Sequence, residues 1–460
     1  MGRLGLLLLT VAASGCSLIV NPELPPPSSD AGPEDASGQD ASGQDASAED
    51  AGAQDAGADD AAVVEDSGVV DAGPTGGTIV DDGTRGGQHA GTEWGDALRL
   101  VAGVHRGRYT SAVLDLGFEA QVRLLSWRPD LPYALSLAPA TSSVQDVYPG
   151  SPVRGDALSV LIPMDGSGQV PDRAPIVETS GSQVPIAADI TTTGSRYVEG
   201  VFGSAIELAR GDHLAFPNTD AAVQFGDGDL TWSLFARTAT CTGGNNVFIG
   251  SEARPTHMWL GCGTSDSTCP RGTGLGGTFL TSADAGGGMC TAGRFDDGRW
   301  HHLAATITGH EQATLRFWLD GVQVGLQAYN LTGRFDFTGQ LSFTVGAFPV
   351  GDYDAEGAFD EVALFKRALD PEELASLAKR GLGRVRLQVR ACPDASCSGD
   401  QVWTDAQGTA GAYIEDPLDG ALPRVELTGV PATRWLQYRV ELIGAGTLSP
   451  SLERVLLEYR

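Results

Sequence analysis

The segment Ala358-Phe359-Asp360-Glu361-Val362-Ala363-Leu364-Phe365, with Arg367-Ala368-Leu369-Asp370-Pro371-Glu372-Glu373-Leu374 close behind it, decides the fold. Its first half is a short, mostly apolar run with the length and composition of a strand. Its second half carries helix-start chemistry: Asp370 as N-cap, Pro371 at the first helical position and Glu373 three residues after the cap, a near capping box. That helix, from about Pro371 to Lys379, is the single helical candidate after Arg108. Elsewhere short β-type runs alternate with Gly, Pro, Asn and Asp, so the class is all-β.

Upstream lie further blocks of the same kind. Leu315-Arg316-Phe317-Trp318-Leu319-Asp320-Gly321 reads as a strand ending in the tight turn a hairpin requires. Before it come Gly298-Arg299-Trp300-His301-His302-Leu303-Ala304-Ala305-Thr306 and the alternating Leu230-Thr231-Trp232-Ser233-Leu234-Phe235-Ala236-Arg237. Gly200 to Leu208 and Leu158 to Gly166 complete the series. In this order and spacing the six blocks, over about 220 residues, resemble the laminin-G-like, concanavalin A-like jelly rolls.

The resemblance implies an antiparallel jelly-roll β-sandwich over residues 157–381, with alternate side chains of each strand filling the space between two sheets. It also implies a calcium ion, which relatives of this jelly roll carry near the start and end of the domain. By position Asp165, Asp172 and Asp360 are the candidate ligands, hard oxygen donors of the kind calcium takes. The alternative, in which Asp360 hydrogen-bonds a neighbouring loop and the others cap turns, stays open.

The flanks, residues 97–150 and 384–460, carry strands such as Arg108 to Gly117, Val122 to Trp127, Arg434 to Leu442 and Ser451 to Tyr459. Each flank is too small for a sandwich of its own. Together they are similar to a discoidin-type or galactose-binding-like β-sandwich, split around the jelly roll. Insertion into an exposed loop is tolerated because loop tips carry few contacts.

At the N-terminus Arg3, the apolar run Leu4 to Val11 and Ala13-Ser14-Gly15-Cys16 resemble a bacterial lipoprotein signal peptide and its lipobox, residues 1–15 being the signal. The resemblance implies lipidation of Cys16 and, with Ser17 next to it, anchoring at the outer membrane, periplasmic or surface-exposed. Residues 16–92 are expected to be a disordered, self-repelling linker of Asp, Ala and Gly. Between Val20 and Thr92 stand 16 acidic residues and one basic, Arg85, about 15 of the net charge of −29. The remainder is mildly acidic and says little about the ligand, whereas the like charges of the linker argue against nucleic acid as a partner.

Besides Cys16 there are six cysteines, an even number in a chain expected to leave the reducing cytoplasm. Cys392 and Cys397 are close enough in sequence to pair. Cys241, Cys262, Cys269 and Cys290 allow three pairings, of which Cys241-Cys262 with Cys269-Cys290 is preferred. None shows the spacing of a zinc site.

Catalytic motifs are absent from the sequence: no His-Glu-x-x-His, no Gly-x-Ser-x-Gly and no phosphate loop with its lysine. Adjacent His301 and His302 point to opposite faces of a strand and do not grip one metal there. Asp360 and Glu361 diverge likewise, whereas a retaining glycosidase needs two carboxylates about 5 Å apart. Arg210-Gly211-Asp212 occupies a turn between two strands, and Asn330-Leu331-Thr332 spells a sequon. Trp259, Trp318, Tyr329, Tyr353 and Trp403 are the aromatics available for stacking on sugars, although most such rings pack in a core.

The expectation is a non-catalytic envelope lipoprotein that binds a glycan or an envelope or extracellular protein, touching the membrane through its lipid alone. A structural or assembly component without sugar binding, and more remotely a glycoside hydrolase, are the alternatives.

Overall fold

The computed structural model describes residues 76–137, 148, 150, 153, 155–216, 221–239, 241, 246–253, 256–262, 274–280, 286–291, 294–309, 313–328, 337, 342–349, 353–415, 422–445 and 447–460. The signal sequence, Cys16, most of the acidic linker, Cys269, Tyr329 and the sequon at Asn330 lie outside the described residues. Among the described residues no helix is long and apolar enough to cross a membrane.

The chain is nearly all antiparallel β. Between Leu158 and Phe365 two eight-stranded sheets face each other. In one, Leu230–Arg237 lies between Gly357–Phe365 and Trp300–Thr308 and pairs with both. Leu158–Ile162 and Ser204–Leu208 add to the Gly357–Phe365 strand, and Thr314–Leu319 to the Trp300–Thr308 strand. The other sheet runs from Gly286–Cys290 through Thr256–Cys262, Asn246–Ala253 and Ser342–Val345 to Pro175–Ile176. Trp232, Phe248, Phe317, Phe337 and Phe343 fill the space between them, with the Trp232 and Phe343 rings edge to face at 5.5 Å. This is the jelly roll the six blocks imply.

The local signals hold. Asp320 and Gly321 take φ of 50° and 73°, the left-handed pair of a two-residue hairpin turn. The helix spans Pro371–Leu382, and its capping box is complete: Glu373 N donates to Asp370 Oδ1 (2.8 Å) and Asp370 N to Glu373 Oε2 (3.1 Å). Arg367 grips Glu373 with two 2.7 Å bonds, fixing the helix start against the end of the preceding strand.

The flanking strands form two more sheets. Val122–Pro129 and Leu98–Leu100 pair with Ser451–Tyr459, and Arg106–Ser111 with Thr433–Ile443, which also receives Arg384–Cys392. Each sheet therefore contains strands from both sides of the jelly roll. Tyr109, Trp127, Leu387 and Tyr438 are among the buried residues of their common core. Residues 77–92, read from sequence as the end of the linker, are a correction: Gly77–Asp81, Gly87–Ala90 and Thr92–Trp94 are strands. Ile79 is buried, and buried Asp81 accepts hydroxyl bonds from Tyr109 (3.2 Å) and Tyr438 (2.6 Å). The polar text of this stretch is stabilised by partners near the far end of the chain, with Gly77 opposite Tyr459.

Candidate functional site

Asp360 and Glu361 sit in the Gly357–Phe365 strand where its register against the central Leu230–Arg237 strand shifts, and Glu361 has φ of 47°. Both side chains are buried, 0% and 2% exposed, which removes them from any solvent-borne substrate. Asp360 Oδ2 accepts the N–H of Val201 (2.7 Å) and of Phe202 (3.0 Å). Gly200 is required there, because a Cβ would lie 2.6 Å from that oxygen. Glu361 accepts from Leu137 N (2.6 Å) and Ser136 Oγ (2.8 Å). Burial pushes the carboxyls up, to about 8 for Asp360 and about 7 for Glu361, against the pull of these hydrogen bonds. They latch a turn and the entering chain segment to the sheet.

Of the other calcium candidates, Asp165 Oδ1 accepts from Ser204 N (3.0 Å), so it borders the same 200–204 turn as Asp360. Asp172 accepts from Ile190 N (3.2 Å) and stands beside Arg173, on a different segment. Asp360 Oδ1 is buried without a partner, the one feature that suits a cation. Yet among the described residues no three His, Cys, Asp or Glu side chains are placed to share one. The three carboxylates do not make one donor set, and Asp360 spends its other oxygen on loop N–H groups, the alternative reading of this residue.

The histidines part as strand geometry requires. His301 bonds Asp320 (2.8 Å) and Asp297 (3.1 Å); burial opposes its protonation, but the two carboxylates outweigh it and raise its pKa. His302 is fully buried on Ser233 Oγ (2.9 Å), and burial pulls it down to about 4. Asp212 of the Arg-Gly-Asp turn is also fully buried, accepting from Thr191 N (2.7 Å), Thr192 Oγ1 (2.6 Å) and Ser195 Oγ (2.6 Å). It offers nothing to an outside partner.

Of the stacking candidates, Trp259 and Trp318 are buried, Tyr353 is half exposed and Trp403 is partly covered. Disulfides join Cys241 to Cys262 and Cys392 to Cys397. Cys290 is also disulfide-bonded.

Sequence reading missed a surface cleft of about 420 Å³ at one end of the jelly roll. Arg196 and Glu207, directly opposite on paired strands, form its charged wall, with Nε and Nη2 at 2.8 and 2.7 Å from one carboxylate oxygen. Arg237 enters from the end of the central strand with its guanidinium on the Trp300 ring, 5.0 Å from the centroid. Glu356 and Thr238, the bare backbone of Gly194, Gly298 and Gly357, and the apolar side chains of Leu208, Ala209 and Ala239 supply the rest. The volume falls within the usual range of small-ligand sites. No single motif marks it, because its residues come from five separate segments.

The two facing sheets and the closing helix define a jelly-roll β-sandwich. Residues 208–375 match the family described as the concanavalin A-like lectin/glucanases superfamily, so the jelly roll is a concanavalin A-like domain. No curated protein matches the chain. Among solved structures it is similar to the binding domain of Paraclostridial Mosquitocidal Protein 1, at 14% identity over 49% of this chain and 52% of that one (TM-score 0.34). Domain 4 of a Geobacillus stearothermophilus extracellular arabinanase, solved with arabinotriose, matches at 20% identity over 48% and 98% (TM-score 0.36). The binding domain of Botulinum Neurotoxin DC, solved in complex with SialylT, matches at 10% identity over 54% and 62% (TM-score 0.38). The chain thus spans about half the length of the mosquitocidal domain and under two thirds of the neurotoxin domain.

Proposed function

We propose that this chain is a non-catalytic glycan-binding protein of the cell envelope, exported and lipid-anchored at the outer membrane through Cys16, and that the cleft at Arg196, Glu207 and Arg237 is its sugar site. The observation that carries the reading is the lining of that cleft. Two arginines and two glutamates meet over exposed glycine backbone, a dense set of donors and acceptors suited to a ligand made of hydroxyl groups. The absence of a catalytic role is supported by Asp360 and Glu361, whose carboxylates are turned to backbone groups inside the protein.

The test is a glycan array probed with the full chain, with calcium and with chelator, alongside Arg237→Ala and Glu207→Gln. A defined sugar class should be bound, should survive chelation, and should weaken at least tenfold in both variants. Silence from folded protein, or binding indifferent to the two substitutions, would discard the cleft, and sugar cleavage would discard the non-catalytic reading. Labelled-lipid incorporation lost in Cys16→Ser checks the anchor.

A further inference from the structure

We propose that the outer face of the five-stranded flanking sheet is a second binding site, for an acidic polysaccharide, independent of the jelly-roll cleft. Cross-strand register builds it. Arg386 lies opposite Glu441, which lies opposite Arg108; one step along, Gln388 lies opposite Arg439, and one step further Arg390 lies opposite Gln437. These positions alternate with buried Val385, Leu387 and Val389, whose side chains face the core, so the polar set shares the opposite face. Strand spacing places neighbouring positions of this face about 5 Å apart across the sheet and about 7 Å apart along a strand, so each of these arginines has a glutamate or glutamine directly opposite it.

The face is cationic in a chain whose net charge is −29. Arg106 and Arg108 share one carboxylate, the 2% exposed Glu441, at 2.9 and 3.4 Å, while their own side chains stay 61% and 43% exposed. Arg386 pairs with Glu415 at 2.7 Å. Arg390 and Arg439 are held instead by neutral amides, Gln437 Oε1 (3.0 Å) and Gln388 Oε1 (2.6 Å). Both guanidiniums also lie against the Trp403 ring, 4.4 and 4.6 Å from its centroid. Five arginines thus stand with two glutamates, oriented by an aromatic ring and amides, with charge left over. The pKa of Arg439 is lowered by burial and by like-charged Arg108 and Arg390, a repulsion that a bound anion would relieve.

Fixed guanidinium forks suit carboxylate and sulfate groups. Their spacing over a pleated sheet suits a chain that repeats its charge. Trp403 and Tyr413, close to the arginines, add apolar surface for sugar rings.

The test is titration of the full chain with alginate as the polyuronate, against neutral dextran and single-stranded DNA. Alginate binding should weaken with salt, dextran should not bind, and DNA should bind at least tenfold more weakly. Arg390→Gln with Arg439→Gln, which strands no buried carboxylate, should lower alginate affinity at least tenfold, and the matching double lysine variant should restore most of it. Should the glutamine variant fail to fold, the lysine variant together with Arg237→Ala decides. Both must keep alginate binding, since the cleft is not involved. Affinity indifferent to loss of the two charges, equal binding of dextran, or DNA bound as tightly as alginate would each overturn the proposal.

Discussion

Asp360 and Glu361 carry protons over much of the range in which free carboxylates are ionised, because burial holds their folded values near 8 and 7. Their folded values lie above the unfolded ones, so their contribution to stability is complete below about pH 4 and is lost as pH rises through 7 and 8. Buried His302, with its folded value down at about 4, acts in the opposite direction. Its contribution is present above about pH 6.5 and is lost as pH falls through 4. Melting temperature should therefore decline from pH 5 to pH 8, and Asp360→Asn should flatten that decline, since an amide cannot ionise; calorimetry at fixed ionic strength reads both. Asp360→Leu leaves two N–H groups without an acceptor and should cost about 2–3 kcal/mol near pH 5, and less above pH 8, where the wild type has itself lost stability by ionising the buried carboxyl. The motif around Asp360 was plain in the sequence. The backbone partners of its carboxylate were not, since the turn it holds lies some 160 positions earlier.

Turns and caps were the most legible elements because their chemistry is complete within four residues. Asp370, Pro371 and Glu373 announce the helix start, and removing the cap by Asp370→Ala should cost about 1 kcal/mol in urea unfolding. Gly321 carries a further constraint that no local pattern shows. Its φ is 73°, and an added Cβ would come within 2.7 Å of the Ala375 backbone in the helix. Gly321→Ala should therefore destabilise by more than a simple turn glycine, about 2 kcal/mol or more, whereas Gly298→Ala, also at positive φ but in open space, should cost less. Strands Gly77–Asp81 and Gly87–Ala90 were illegible for the converse reason. They hold little apolar surface of their own, and their partners are remote. The cleft was hidden in the same way, assembled from strand ends whose meeting only the sheet order determines.

At the scale of the whole molecule, cross-links and latches bind the two sandwiches' segments. The Cys241–Cys262 bridge closes a 21-residue separation and Cys392–Cys397 one of 5. Loop-closure entropy sets their worth at about 3 and about 2 kcal/mol, so paired alanine substitutions should rank in that order in denaturant melts. Lys379 bonds Asp130, Arg384 donates to Val201 O (2.8 Å), and Glu361 holds Ser136 and Leu137, so the chain segments entering and leaving the jelly roll are fastened to it. Blocks of the jelly roll were readable because consecutive strands of one family pattern follow each other in sequence. The flanking sheets resisted because Val122–Pro129 finds Ser451–Tyr459 only across the whole insert. That connectivity imposes an order in time. A nascent chain delivers Gly77 to Pro129 long before Arg384 to Tyr459 exist to cover them, so their edges wait unmatched while the jelly roll can already close. Pulse-labelled hydrogen exchange during refolding should find amides of Leu230–Arg237 protected before those of Val122–Pro129, and the early half of the flanking sandwich should be the part most exposed to proteases while it waits.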